Sequence, residues 1–221
     1  LEKCREHRVT LKFSKSALCT KVVQFCGYII SAEEIKASPE IVSGIADFPA
    51  PKNLTKLRSF FGLCNQIAHF SSDVSRALEP LRPLLKKCNI FKWLPEHDKA
   101  FEEAKKLLVS PPVLTFFNQN NRTRLCTDAS RLHGLGFTLE QHVDGNWKVV
   151  MAGSRFLTPT EGRYAMIEIE CLGASWAMQK CRMFLYGLHH FDLITDHAPL
   201  VPILNRMGIS EIENPRLQRL K

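Results

Sequence analysis

Apolar and polar positions change rhythm along the chain, and each rhythm predicts a different element. A polar helix end opens the sequence, and an alternation from Val9 to Phe13 predicts a short strand. Val22 to Ile30 is a second apolar run, rich in β-branched and aromatic residues, and predicts extended backbone. Gly27 inside it marks a bulge or a close backbone approach. Pro49-Ala50-Pro51 breaks the chain, and beyond it the apolar spacing becomes three and four. Leu54, Leu57, Phe61, Cys64, Ile67 and Ala68 form one helical stripe, which Asn53 or Thr55 can cap. Pro80 and Pro83 bracket short helical pieces around Leu81, Leu84 and Leu85, ended by Lys86-Lys87. Glu96 to Val109 repeats the pattern, with Ala100, Phe101, Ala104, Leu107 and Leu108 on one face. Pro111-Pro112-Val113-Leu114 and the polar run Asn118 to Asn121 read as a linker.

Beyond residue 121 the period returns to two. Arg124-Leu125-Cys126-Thr127 predicts a strand that ends in Asp128. Phe137, Leu139, Gln141 and Val143 alternate, Asp144-Gly145 supplies a hairpin turn, and Trp147, Val149 and Met151 alternate again. A helix follows from about Pro159 to Tyr186, then a strand from Phe191 to Asp196 and a short helix from Leu200 to Leu204. The order β-β-β-α-β-α predicts a mixed sheet in which a crossover helix joins parallel strands. The fold class is therefore α/β, with an α+β N-terminal part. Neither internal repeats nor low-complexity segments occur.

Composition narrows the classes. A hydrophobic content of 45% across 221 residues suits one or two domains with real cores. No apolar run approaches a membrane span, and no membrane partner is expected. The eight cysteines lack a C-x-x-C pair or zinc spacing and read as reduced, mostly buried thiols of an intracellular protein. Net charge is +8: residues 1–121 hold 18 Lys and Arg against 12 Asp and Glu, and residues 122–221 hold 12 against 10. A basic excess in one part points to a polyanion, nucleic acid first. Charge alone fits a merely soluble basic protein equally well.

Three carboxylates stand out because of what surrounds them. Asp128 and Asp196 each close a strand-like run, and Glu170 lies inside the long helical segment. Acids gathered at short range need a divalent cation or accept raised pKa values, which makes the sharp reading a Mg²⁺ site. The bland reading is three solvated acids out of 22.

Asp128-Ala129-Ser130, Gly134-Leu135-Gly136, Leu139-Glu140-Gln141, Ala152-Gly153-Ser154-Arg155, Glu170-Cys171-Leu172-Gly173-Ala174 and Thr195-Asp196-His197-Ala198-Pro199-Leu200 follow one another in the chain. Together they resemble the ribonuclease H domain of gypsy-type LTR retrotransposon Pol polyproteins. Upstream, Phe25 to Ser31 resembles the end of the reverse transcriptase palm, where a hairpin grips the primer terminus. Pro51 to Leu63, Phe91-Lys92-Trp93 and Ala100-Phe101 resemble that family's helical thumb. The resemblance divides the chain into a palm end (residues 1–45), a thumb or connection-like segment (46–118) and a ribonuclease H-like domain (119–221).

What the resemblance implies is specific. Asp128, Glu170 and Asp196 would be catalytic and hold two Mg²⁺ or Mn²⁺ ions, with Asp128 bridging them. Glu168, two residues away on the helix, should face elsewhere. Gly27, Tyr28, Lys52, Lys56 and Arg58 would contact nucleic acid. Expected partners are the RNA–DNA hybrid, the template–primer duplex and the rest of a Pol polyprotein, with palm and fingers upstream and integrase downstream. The setting would be a cytoplasmic virus-like particle with a nuclear stage. Leu1 and the ending at Lys221 both suggest a piece of a longer chain. The family's fourth carboxylate lies in a later A-D-A-L-S-R segment, so the domain is expected to be C-terminally truncated and feeble alone. Cys171 and Gly173 depart mildly from the family's Leu and Ala. A reading from another class is a non-catalytic nucleic-acid-binding remnant with the same fold. Retention of the three carboxylates favours catalysis.

Overall fold

The computed structural model describes residues 2–221 apart from Phe13, Lys15, Leu18, Ser72, 87–90 and 110–112. Phe13, Lys87 and Pro111-Pro112, expected in a strand, a helix end and a linker, lie outside the described residues. Among those described, no helix is long and apolar enough to cross a membrane.

The N-terminal half begins with α1 (Glu2–Glu6), and β1 (Val23–Phe25), β2 (Tyr28–Ile30) and β3 (Glu34–Ala37) follow. The strand expected from Val9 is not formed: residues 9–12 are irregular and exposed. The apolar run around Gly27 folds as a hairpin, β1 pairing antiparallel with β2. Cys26 and Gly27 have φ of 49° and 87°, as the two-residue loop of a tight hairpin requires. A Cβ on Gly27 would stand 2.2 Å from Ile41 Cδ1, so turn and close approach coincide.

Helices α2 (Pro39–Ala46), α3 (Leu54–Ile67), α4 (Val74–Leu78) and α5 (Pro95–Val109) come next. Asn53 caps α3, its side chain accepting from Lys56 N at 2.9 Å. The buried stripe of α3 is Leu57, Phe60, Cys64 and Ile67, with Phe60 in place of the expected Phe61. Both fit helical spacing; the Phe60 ring wins because Phe101 and Phe48 lie 4.6 and 5.4 Å away, centroid to centroid. From α5, Ala100, Phe101, Ala104 and Leu108 enter the same core, while Leu107 is half-buried. Burying a residue such as Phe101 contributes about 1.5–3 kcal/mol.

Leu114, a linker residue by its sequence, instead forms β4 with Thr115 and pairs with β3, giving an antiparallel sheet β1-β2-β3-β4. Tyr28, Ile35 and Leu114 all pack on the helical core. The β1–β4 sheet and the helices therefore share one core.

The C-terminal half is built on β5 (Thr123–Ser130), β6 (Gly134–Val143) and β7 (Asn146–Arg155), then α6 (Met166–Lys180), α7 (Arg182–Leu185), β8 (Asp192–Thr195), α8 (Leu200–Asn205) and α9 (Pro215–Leu220). Sheet order is β7-β6-β5-β8, and β8 runs parallel to β5, with Thr127 opposite Thr195. The Asp144-Gly145 turn has both φ values positive and joins β6 to β7. In β7 the pairing slips between Leu139↔Met151 and Glu140↔Val149, leaving Val150 as an extra residue. That bulge shifts the phase, so Val150 and Ala152 are buried instead of continuing the Trp147, Val149, Met151 alternation. The helix expected from Pro159 starts only at Met166. Arg155 holds Glu161 through two bonds of 2.8 and 3.0 Å, and Thr158 N donates to Glu161 at 2.8 Å, which fixes a tight turn there.

The two halves are stitched together. Ser75 Oγ donates to Ser154 Oγ at 2.8 Å, and Arg82 donates to Leu157 O at 3.1 Å with its guanidinium over Phe156. Val149 and Phe156 pack on the N-terminal core. Buried Gln141 accepts from Asn118 N and donates to Asn118 O, each at 2.8 Å, so the stretch before β5 is held rather than loose.

Candidate active site

The strand alternation in β5 sets the site. Leu125, Thr127 and Ala129 are buried, and Asp128 between them is exposed. Ser130 Oγ then accepts from Leu132 N and His133 N, turning the chain back toward β6. Gly134 completes that return at φ 96°, where a Cβ would lie 2.2 Å from Arg155 O; only glycine fits. Gly136 stands opposite Asp128 in the register. On the other side, β8 brings Thr195 beside Thr127, and Asp196 follows it directly. Thr195 Oγ1 accepts from His197 N at 3.2 Å and shapes the turn after Asp196.

Helix α6 delivers the third acid. A Cβ on Gly173 would sit 3.4 Å from Ala129 Cβ, so the helix lies close on β5. Glu170, three residues earlier, is 4% exposed. Its pKa is pushed up to about 7, first by burial and then by the charges of Asp196 and Asp128. Among the described residues Glu170 Oε2 is buried without a hydrogen-bond partner. An orphaned carboxylate oxygen facing two like charges is the chemistry a hard divalent cation satisfies. Even so, among the described residues no three His, Cys, Asp or Glu side chains are already drawn up as a metal-holding group. The acids are neighbours, not a closed cage.

Glu168 faces elsewhere, as helical spacing requires, but it is not idle. It is 6% exposed and accepts from Arg216 Nη1 at 2.8 and 2.9 Å, Asn214 Nδ2 at 2.9 Å and Ala165 N at 2.9 Å. Arg216 also lies 3.7 Å from the centroid of the Tyr164 ring. Nothing in the sequence signalled this clamp across 48 residues.

The residues expected to touch nucleic acid separate into two kinds. Lys52, Lys56 and Arg58 are exposed around the start of α3. Gly27 and Tyr28 are half-buried: Tyr28 donates to Gln66 O at 2.7 Å and burial raises its pKa, while Gly27 packs against Ile41. The exposed side chains of that hairpin are instead Val23, Gln24, Phe25 and Cys26. Of the seven described cysteines, all unpaired, only Cys64, Cys171 and Cys181 are buried, fewer than expected.

Comparison with known proteins places this arrangement. A family described as an RNase H-like domain found in reverse transcriptase matches residues 93–193. The chain is 31% identical to the Retrovirus-related Pol polyprotein from transposon opus of Drosophila melanogaster, over 96% of this chain and 22% of that protein. It is also 31% identical to the Transposon Tf2-3 polyprotein of Schizosaccharomyces pombe, over 99% of this chain and 16% of that one. The chain thus spans about a fifth of the curated relatives it matches. Among solved structures, the foamy viral protease-reverse transcriptase in complex with RNA/DNA hybrid superposes with a TM-score of 0.68 at 23% identity, covering 92% of this chain and 29% of that one. The dRH form in complex with double-stranded DNA gives 0.69 at 22%, covering 93% and 36%. At such identities the likeness is one of fold. The chain belongs to the retrotransposon Pol polyproteins, as a region that carries their reverse-transcriptase RNase H-like domain.

Proposed function

We propose that the C-terminal half is a ribonuclease H that hydrolyses the RNA strand of RNA–DNA hybrids, and that the N-terminal half is the palm end and thumb holding the same duplex. The observation that carries this is Glu170, buried, partly orphaned and raised in pKa by Asp196 and Asp128. Asp128, Glu170 and Asp196 would hold Mg²⁺ or Mn²⁺. When bound, two such ions supply charge for the phosphoryl oxygens and lower the pKa of the attacking water. The chain's own residues do the rest. Asp128 and Asp196 orient the site from adjacent strands, and α6 keeps Glu170 dry. Lys52, Lys56 and Arg58 offer backbone-directed cations that read no sequence. The foamy viral structures of similar fold, one with RNA/DNA hybrid and one with double-stranded DNA, fit that division of labour.

A second reading has its own observation. With no three-residue metal group among the described residues, the fold can serve as a nucleic-acid-binding module without cleavage. Titration with Mn²⁺, followed by incubation with a hybrid labelled on its RNA strand, separates the two. The nuclease reading expects Mn²⁺ binding that Asp128→Asn and Glu170→Gln weaken, with RNA-strand cleavage that both abolish. A chain that binds no Mn²⁺ and leaves the RNA intact, while still binding hybrid, establishes the second.

A further inference from the structure

We propose that Arg76, from the N-terminal half, belongs to the same site, holding a backbone phosphate of the strand that lies against Asp128. The inference rests on the nucleic-acid reading above and adds a residue that neither the motifs nor the family match contains, since Arg76 precedes residues 93–193.

The geometry comes first. A cleft of about 170 Å³ opens where α4 meets β5 and β6. One wall is Asp73, Ser75 and Arg76; the other includes Asp128, Ser130 and His133. Gly134 and Gly136 line it as well, and Gly136, the register partner of Asp128, puts no side chain beside that carboxylate. Arg76 is therefore held across a cleft from the first catalytic candidate. Its place is fixed, because the adjacent Ser75 is bonded to Ser154 on β7 and Arg82 is anchored at Leu157 O and Phe156.

Chemistry names the ligand. Among the described residues lining the cleft, Arg76 is the one permanently charged cation. A guanidinium presents paired N–H donors that match two phosphate oxygens, which a carboxylate wall cannot offer. Its present partner, Asp73 at 3.0 Å, does not bind it firmly: the two side chains are 60% and 48% exposed. Exposed pairs of this kind contribute little, so Arg76 is free to exchange Asp73 for a phosphate. Ser130 and His133 add hydrogen-bonding groups on the opposite wall. A duplex held at α3 and reaching Asp128 would then meet a cation at the seam between the halves.

The test uses the full chain and a fluorescent RNA–DNA hybrid, with Ca²⁺ in place of Mg²⁺ to separate binding from turnover. Anisotropy titrations between 50 and 200 mM salt give the affinity and its salt slope. Arg76→Ala is expected to weaken binding about tenfold and to make the log–log slope shallower by about 0.9, the value for one lost phosphate contact. Arg76→Lys keeps the charge and should keep the slope, with a smaller affinity loss. Melting of both variants should match the unsubstituted chain, because Arg76 is exposed. An unchanged slope in Arg76→Ala overturns the proposal, even where hybrid cleavage shows the nuclease reading to be right. A reduced slope in a chain that cuts nothing upholds the contact and sinks the nuclease reading instead. Failure of the unsubstituted chain to bind hybrid overturns the contact outright.

Discussion

Replacing Glu168 by Gln is the perturbation whose size the structure fixes best. Helical spacing makes Glu168 nearly silent in turnover, since it points away from Asp128 and Asp196. Its contacts make it costly in stability. The carboxylate accepts two bonds from Arg216, one from Asn214 and one from Ala165 N. Gln keeps one acceptor oxygen, loses the charge and turns an NH₂ toward donors. Stranding one partner of a buried pair costs about 3–5 kcal/mol, but Arg216 is 36% exposed and water can rehydrate it. A loss of about 2 kcal/mol follows, close to that of a charge-assisted bond. For a chain of this size that lowers Tm by about 4–8 °C. The loss should begin locally, with α9 exchanging its amide hydrogens faster than α6. The Asn214 amide, with Ala165 N–H and Arg216, holds the Glu168 carboxyl below its usual range. Its contribution is thus present above the ordinary Glu value and lost as pH falls through the lowered one. A thermal melt and amide exchange of residues 214–221 read both effects, and a double-mutant cycle with Arg216→Ala isolates the pair. Melting within about 1 °C of the unsubstituted chain, with unchanged exchange, would refute the clamp.

Other expectations are as concrete. Gly134→Ala should destabilise by about 2 kcal/mol or more, because it adds a Cβ at φ 96° against Arg155 O, and chemical denaturation measures it. Arg155 first, aided by Thr158, holds Glu161 down to about 2, so the pair stabilises fully above pH of about 4.5 and fades toward 2. Acid denaturation should show a contribution of about 1–2 kcal/mol that vanishes in Glu161→Gln, the bond being partly solvated. Neutralising Lys52, Lys56 and Arg58 together should flatten the salt dependence of duplex binding by about 0.9 per contact made, without changing sequence preference.

Local chemistry was legible in the sequence, and long-range packing was not. Asp144-Gly145 and the turn at Gly27 are written in the few residues that make them. The crossover topology follows from strand and helix order, and Asp128, Glu170 and Asp196 are marked by the motifs around them. Phe60 and Phe61 are interchangeable by spacing, and only distant Phe48 and Phe101 decide between them. The two-residue β4 has too short a pattern to read, and its partner is some 80 residues upstream. The Val150 bulge is fixed by cross-strand pairing. Arg76 and the Glu168–Arg216 clamp depend on contacts between segments that no local period connects.

The central claim is that Asp128, Glu170 and Asp196 form one electrostatic site built for a divalent cation. Its direct test is the ionisation of Glu170, followed by carbon-detected NMR with selectively labelled glutamate. The account predicts titration near pH 7 without metal, a fall toward the ordinary Glu range in Asp128→Asn, and a further fall when Mg²⁺ is added to the unsubstituted chain. A Glu170 that titrates as an ordinary glutamate, indifferent to Asp128 and to Mg²⁺ alike, would contradict it.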